Sequence, residues 1–512
     1  MPQPGWAEQD PEDWWNGTVA SVRKVLAQSA VDPASILGIG LSGQMHGLVL
    51  LGDHRQVLRP SIIWCDQRTG EECAWIDRTI GTDRLMAAIS NPMLPGFTAP
   101  KLIWVRNHEP DVWERVRTIL LPKDYVRLRL TDEIAIEVSD AAGTALFNVA
   151  ERRWADELFS DLGIPPEWLP SVCGSTEVVG EITRAVAEAT GLREGTTVVG
   201  GGADNSCAAV GNGVISQGLG MVSIGSSGVV LAPCREPRVD PGSRVHTFNH
   251  SVPDLWYLMG VTQGAGLSLR WFRDQFGDAE QRQARLEGRD AYDLMGDEAG
   301  ASPPGSKGVI WLPYMQGERT PHLDPAARAV LFGLSTAHTR ADVFRAVLEG
   351  VAYSLRDCFS IVREQGVTIE QVRLTGGGAR SRLWRQIMAD VMGIELVITR
   401  TEEGPALGAA LMAAVGKGIY RTIDEACAAT ISIVERVEPI PDRIALYDRG
   451  YELYRDLYPA LKASYSTTAR FVDASSSASA TGRTKAAPGD DLRSRLDLVA
   501  PSDQMVTPDR ST

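Results

Sequence analysis

Three glycine-rich stretches hold the residues whose types and spacing could do chemistry: Gly200-Gly201-Gly202-Ala203-Asp204-Asn205, Ile224-Gly225-Ser226-Ser227-Gly228 and Gly376-Gly377-Gly378-Ala379-Arg380. Each follows a short β-branched run, so backbone amides can converge on an anion where no side chain intrudes. Asp204 comes after three glycines and before an Ala-rich segment, which places it at the amino end of a helix at the mouth of a cleft. Two roles fit such an Asp. It can cap the helix, or it can act as general base, taking the proton of a substrate hydroxyl as that oxygen attacks the terminal phosphoryl group of a nucleotide. Ser223 to Val230 reads as strand, tight turn and returning strand. Its turn residues Gly225, Ser226, Ser227 and Gly228 either receive phosphate oxygens or close an ordinary hairpin.

A second group lies near the start of the chain. Gly43-Gln44-Met45-His46-Gly47 sets an amide, a thioether and an imidazole between two glycines at a strand end, a plausible wall for a polyhydroxylated ligand. Trp64, Asp66 and Arg68 add a stacking face and hydrogen-bonding groups; the plainer alternative is a surface ion pair, which is worth little. Gly38-Ile39-Gly40-Leu41-Ser42-Gly43 matches the dinucleotide fingerprint by letter. It leads into the strand-like run 48–51 instead of a helix, and no acid follows in a matching context, so no such cofactor is assigned. His246 and His250 are four apart in a segment that is not helical, which excludes a helix-borne metal pair, and no metal ligands are assigned.

The elements that must position these groups alternate. From Trp6 to about Gly213, strand-like and helical runs interleave at 36–41, 48–51, 61–64, 101–107 and 118–121, which reads as α/β. A second α/β block runs from about Gln217 to Ser464. It contains the clearest helix, 341–364, whose apolar positions Phe344, Val347, Leu348, Val351, Leu355 and Phe359 follow one buried stripe up to the stop at Gly366. Strand 371–374, the Gly376 loop, helix 381–392 and strand 395–399 make a βαβ unit with its loop at the strand's carboxyl end, where open sheets place ligands. Gly404-Pro405 marks another helix start. Two lobes with a cleft between them follow. Past Ser464 the chain turns Ser-, Thr- and Ala-rich with few large apolar residues, so 465–512 reads as a mostly disordered tail.

The bulk properties exclude several classes. With 512 residues and 44% hydrophobic residues the chain can bury two or three cores. It has no run approaching a membrane span, no leader-like start, and therefore a cytoplasmic expectation. Seven cysteines without a C-x-x-C pair suit reduced thiols better than a disulfide framework or zinc site. A net charge of −14 speaks against nucleic acid or anionic lipid as the main partner. A phosphate ligand would then depend on local amides and a divalent cation.

Taken together, the segments resemble the D-xylulose branch of the FGGY carbohydrate kinase family, over about Pro4 to Leu461. The most specific pieces are Glu8-Gln9-Asp10-Pro11-Glu12-Asp13-Trp14-Trp15, Gln44-Met45-His46-Gly47, Pro95-Gly96-Phe97-Thr98-Ala99-Pro100-Lys101-Leu102, Leu121-Pro122-Lys123-Asp124-Tyr125 and Gly317-Glu318-Arg319-Thr320-Pro321-His322. The resemblance implies two actin-like (ribonuclease H-like) lobes, 1–213 for the sugar and 214–464 for the nucleotide, with the active site between them. It implies ATP-dependent, Mg2+-assisted phosphorylation of D-xylulose to D-xylulose 5-phosphate. By it, Asp204 matches the base, Met45, His46 and Asn205 match sugar contacts, and Gln44, Trp64 and Asp66 join them as substrate-side candidates. Gly225, Ser226, Ser227 and Gly228 match the second phosphate loop, with Ser226 where the family usually has Thr. Gly376, Gly377, Gly378 and Gly404 match the adenosine side. Family members open with a strand and an Asp-x-Gly-Thr-Ser turn ahead of the segment at Gly5-Trp6, and that hairpin is expected upstream of Met1. A non-catalytic sugar-binding remnant and a kinase for another ketose or polyol are the alternatives; a homodimer is compatible with all three.

Overall fold

The computed structural model describes residues 3, 5–401 and 403–482, with side chains to residue 472, and divides into two units, Met1–Leu461 and Lys462–Thr512. Both expected α/β blocks fall in the first unit. Pro4, at the start of the family resemblance, lies outside the described residues.

In the first block, α1 (Pro11–Ser29) starts behind Asp10, whose side chain accepts from the Glu12 amide, with Pro11 in the first turn. The run expected at 36–41 is split into two short strands, β1 (Gly38–Ile39) and β2 (Ser42–Gly43). Between them Gly40 packs against the Ala409 backbone with no room for a side chain. β3 (Val49–Leu51) pairs antiparallel with β4 (Thr118–Leu120), and 101–107 lies inside α2 (Thr98–His108). Further on come α3 (Pro122–Thr131), α4 (Val138–Ala142), β5 (Val178–Glu181) and β6 (Thr197–Val199), with β6 joining β5 to β1. β7 (Gly202–Ala203) then feeds directly into α5 (Asp204–Gly211).

The second block is built on a seven-stranded sheet. Its strands are β8 (Gly218–Ile224), β9 (Gly228–Cys234), β10 (His246–Asn249), β11 (Trp256–Thr262), β12 (Ile369–Thr375), β13 (Leu396–Thr399) and β14 (Ile433–Val437), in the order β10-β11-β9-β8-β12-β13-β14. β8 and β9 form the expected hairpin, Ile224 opposite Gly228, and β8, β12 and β13 run parallel. α6 (Gly266–Phe276) follows β11. The long helix α7 (Arg340–Glu364) opens with a reciprocal cap between Thr339 and Asp342 and buries the predicted stripe from Phe344 to Phe359. The βαβ unit forms as expected, with α8 (Arg382–Met392) capped by Ser381 and stopped by Gly393 at φ 63°.

α9 (Gly404–Gly416) belongs to the second block by sequence but packs on α5 and β1 of the first. The C-terminal helix α10 (Pro441–Gly482) corrects the expected boundary of the disordered tail. From Ala460 to Thr481 no Gly or Pro interrupts an Ala- and Ser-containing run, so nothing local stops the helix until Gly482. The rest of the expected tail, 483–512, lies outside the described residues. Among the described residues no helix is long and apolar enough to cross a membrane.

Candidate active site

Register brings the two substrate-side motifs together. β7 pairs parallel with β2, Gly202 opposite Ser42 and Ala203 opposite Gly43, so the residues that follow each strand leave the sheet at the same end. Those residues are Asp204 and Asn205 on one side and Gln44, Met45 and His46 on the other. Ala203, not Asp204, is the N-cap of α5. Asp204 is the first helical residue, and its Oδ1 accepts from the Asn205 amide (2.7 Å) and Asn205 Nδ2 (3.0 Å). Oδ2 has no hydrogen-bond partner among the described residues. Burial raises the pKa of this carboxyl to about 6, against the two Asn205 hydrogen bonds that pull it down. A carboxylate so placed is ionised at neutral pH yet more basic than an ordinary one.

His46 sits at φ 68°, an uncommon backbone state for a residue with a side chain, and is held there from both sides. Its carbonyl accepts from Lys101 Nζ (2.9 Å) and the Thr98 hydroxyl (3.1 Å), and Lys101 Nζ also donates to the Gly96 carbonyl (2.7 Å). Burial lowers the Lys101 pKa to about 7. The His46 ring meets the Gly143 carbonyl through Nδ1 at 2.6 Å and stands edge-on to Phe97. A carbonyl can only accept, so the proton is on Nδ1 and Nε2 presents a lone pair. Burial drops the His46 pKa to about 3, which keeps the ring neutral. Gly143 has to be glycine, because a Cβ there would lie 2.9 Å from His46 Nδ1 and 3.0 Å from Met45 Cε.

These groups line a cavity of about 220 Å³. Asp204, Asn205, Met45, His46 and Trp64 form one part of its wall and Ser227 closes another, so residues of both blocks meet there. A second cavity, of about 690 Å³, is lined by Gly225, Ser226, Gly377, Gly378, Tyr292 and Trp384. The 225–228 turn therefore has Ser227 facing the small cavity and Ser226 facing the large one. The turn is braced by the first residues of α6: Gly266 donates to the Gly225 carbonyl (2.8 Å) and Leu267 to the Ser226 carbonyl (3.1 Å). The Gly225 amide is spent within the turn on the Ser227 carbonyl (3.0 Å), which leaves the Ser226 and Ser227 hydroxyls and amides as a donor set suited to phosphate oxygens. The Gly376 loop packs on the strand that leads into this turn; Cβ atoms at Gly376 and Gly378 would collide with Ile224.

Several candidates stand elsewhere. Gln44 donates to Gln9 Oε1 (2.9 Å), two residues ahead of α1, and does not line the cavity. Asp66 is fully buried, its carboxylate taken by the Ala7 amide (2.5 Å) and by Arg68 (2.7 Å), which itself lies over the Trp6 ring. It ties down the start of the chain, does not line the small cavity, and its ion pair is buried where the alternative reading had a surface pair. Gly228 packs on Thr262 and Leu355. Gly376 lines a third cavity, of about 440 Å³, which shares Gly377 with the larger one. Gly404 lines none of these cavities and lies where α9 crosses α5, its carbonyl against Gly211 and its own Cα against Asn212. The small cavity also gains residues not singled out above as site candidates: Gly96, Phe97, His246, Met259, Val261 and Arg319. His246 faces it from β10, and alternation along that strand was the only local signal for that orientation.

The chain is 39% identical over 458 residues to the xylulose kinase of Bacillus subtilis (strain 168), covering 90% of each. It is 38% identical over 461 residues to the xylulose kinase of Escherichia coli (strain K12), covering 90% of this chain and 92% of that protein. Among solved structures it superposes on the "xyloylose kinase" from Brucella ovis with a TM-score of 0.82 and 34% identity, covering 90% of this chain and 92% of the other. The N-terminal domain of the FGGY family of carbohydrate kinases matches residues 1–211 and the C-terminal domain residues 220–416. With a small cavity holding a raised carboxylate, a phosphate-suited turn beside it and both family domains in order, the chain belongs to the FGGY family of carbohydrate kinases.

Proposed function

We propose that this kinase transfers the terminal phosphoryl group of ATP to O5 of D-xylulose, giving D-xylulose 5-phosphate and ADP, with Asp204 as general base. The observation that carries the reading is the 225–228 turn, one face of which looks into the cavity with Asp204 and the other into the larger cavity. A sugar hydroxyl at Asp204 and a nucleotide's last phosphate at the turn would then be neighbours. The O5 proton passes to Asp204 Oδ2, the O5–phosphorus bond forms as the bond from phosphorus to the bridging oxygen breaks, and ADP leaves with that bonding pair.

Asn205 keeps the other carboxylate oxygen fixed, so that one lone pair is aimed at the substrate. Neutral His46 accepts a sugar hydroxyl through Nε2, Trp64 offers a stacking face, and the Phe97 and Met45 wall excludes water, the competing acceptor. ATP supplies the phosphoryl group, with Gly225, Ser226, Gly377 and Gly378 as its binding wall. Among the described residues no group of three His, Cys, Asp or Glu side chains could hold a metal ion. Mg2+ enters this reading with the ATP phosphates, whose oxygens would hold it together with water. The setting proposed is the cytoplasm, and the assembly a homodimer, which sedimentation equilibrium would check.

Support for D-xylulose comes from the xylulose kinases that resemble the chain over nine-tenths of its length. The test is ADP release in a coupled assay with D-xylulose, D-ribulose, L-ribulose and glycerol. D-xylulose should give the highest kcat/KM. Equal rates on all four would overturn the specificity, and saturable D-xylulose binding without ADP release would point to a sugar-binding protein instead.

A further inference from the structure

We infer that His246 binds the sugar, its Nε2 accepting a hydrogen bond from a substrate hydroxyl, so that the second block takes part in sugar recognition as well as supplying the phosphate turn. The inference rests on the D-xylulose reading above and adds to it a substrate-contacting residue carried by β10.

The ring is held by the side-chain amide of Asn91. Asn91 Nδ2 donates to the Ile89 carbonyl (3.0 Å) and to the Thr247 carbonyl (2.7 Å). That fixes which way the amide faces. Its Oδ1 accepts from the Thr247 amide (3.1 Å), and the same oxygen meets His246 Nδ1 at 3.3 Å. An amide oxygen only accepts, so Nδ1 carries the proton and Nε2 keeps a lone pair. Two phenyl rings fix the plane: Phe248, two residues on along the same face of β10, stacks on the imidazole at 5.5 Å and 20°, and Phe97 stands edge-on at 5.7 Å. Burial, helped by the Arg319 charge, holds the pKa well below the usual histidine value, so the ring is neutral.

Asn91 accounts for one ring nitrogen and leaves the other. His246 is 5% exposed and lines the small cavity with Asp204, Asn205 and His46. Its Nε2 has no hydrogen-bond partner among the described residues, and an acceptor buried without one carries a cost that a ligand's donor relieves. The missing partner has to bring a proton. Ionised phosphate oxygens bring none, and a keto oxygen brings none; a sugar hydroxyl does. Position agrees with this chemistry, because His246 lines the cavity of Asp204 and not the larger one beside Ser226 and Gly377. His46 offers a lone pair of the same kind from the first block. Neutral acceptors from both blocks thus face one polyhydroxylated ligand.

The experiment separates the two ring nitrogens. His246→Asn keeps an N–H for Asn91 Oδ1 at the place of Nδ1 and has nothing at the place of Nε2, whereas His246→Gln carries an oxygen near the place of Nε2 and loses the bond to Asn91. Wild type and both variants are titrated calorimetrically with D-xylulose and with ATP, and their thermal unfolding is followed. His246→Asn should bind D-xylulose roughly 5- to 50-fold more weakly than wild type, the range of a ligand hydroxyl left without its acceptor, with ATP affinity unchanged. His246→Gln should have the lower Tm of the two variants and retain more of the sugar affinity. The reverse order of sugar affinities, equal losses in both variants, or a loss confined to ATP overturns the inference while the D-xylulose reading stands. A crystal structure of wild type with D-xylulose needs neither variant to fold. A sugar oxygen within about 3.5 Å of His246 Nε2 is expected there, and none within that distance overturns the inference. A wild type that does not bind D-xylulose overturns that reading and this inference together.

Discussion

Replacing Asp204 by Asn should leave the protein more stable than wild type at neutral and alkaline pH, because the site holds a carboxylate that the fold does not favour. Its pKa rises from 3.8 to about 6 on folding, with burial as the largest cause. At 1.36 kcal/mol per unit, keeping the group ionised costs the folded state about 3 kcal/mol at most. The sign follows from which state binds protons more tightly. The folded protein does, so the penalty is full above about pH 6, shrinks as pH falls toward 3.8, and is gone below it. Asn keeps the oxygen that accepts from Asn205 and carries no charge. The variant should therefore gain roughly 1–3 kcal/mol near pH 8 and about half of that near pH 5. Thermal unfolding followed by circular dichroism at the two pH values reads this out as a rise of a few degrees that narrows on acidification. A variant less stable than wild type near pH 8, or a gain that does not depend on pH, would refute the reasoning.

Three further outcomes follow from the same geometry. The acid limb of kcat/KM for the sugar should have an apparent pKa of about 6, because Asp204 must be ionised and His46, at about 3, does not titrate in that range; a profile flat down to an ordinary carboxylate value would contradict the base assignment. Gly143→Ala places a methyl group 2.9 Å from His46 Nδ1, and overpacking of roughly 1–3 kcal/mol should raise the KM for sugar about 10- to 100-fold with a smaller change in kcat. An unchanged KM would free His46 from its proposed role. Gly378→Ala pushes on Ile224, just ahead of the phosphate-suited turn, and should raise the KM for ATP while calorimetric sugar affinity stays the same.

The parts of this structure that were legible in the sequence are those set by local patterning. The stripe from Phe344 to Phe359 defined α7 to within a residue, and turn chemistry defined the β8–β9 hairpin and the Gly376 loop between β12 and α8. Asp204 after three glycines was legible as a helix start, although the cap proved to be Ala203. Side-chain direction was not legible where the segments are short. The strands around residues 38–43 and 61–62 have two residues each, too few for alternation to say that Gln44 turns toward Gln9 or that Asp66 is consumed by Arg68. Glycines carry two meanings for a physical reason: close backbone approach serves both phosphate binding and helix crossing. Gly404 and Gly408, one turn apart, match Gly211 and the Cys207 carbonyl across a helix pair, a spacing that argues for the crossing. Arg319 was in view only as part of a motif, because its cavity neighbours come from segments 58 to 274 residues away and no local pattern reports such a meeting.

The central claim is that Asp204 takes the proton from the sugar hydroxyl in a cavity that binds the sugar without it. The most direct measurement pairs single-turnover phosphorylation of D-xylulose by Asp204→Asn with the calorimetric Kd of D-xylulose for the same protein. Loss of a general base should lower the rate by roughly 100-fold or more and leave the Kd within a few fold of wild type. A rate near that of wild type, or a variant that no longer binds D-xylulose while remaining folded, would contradict the account.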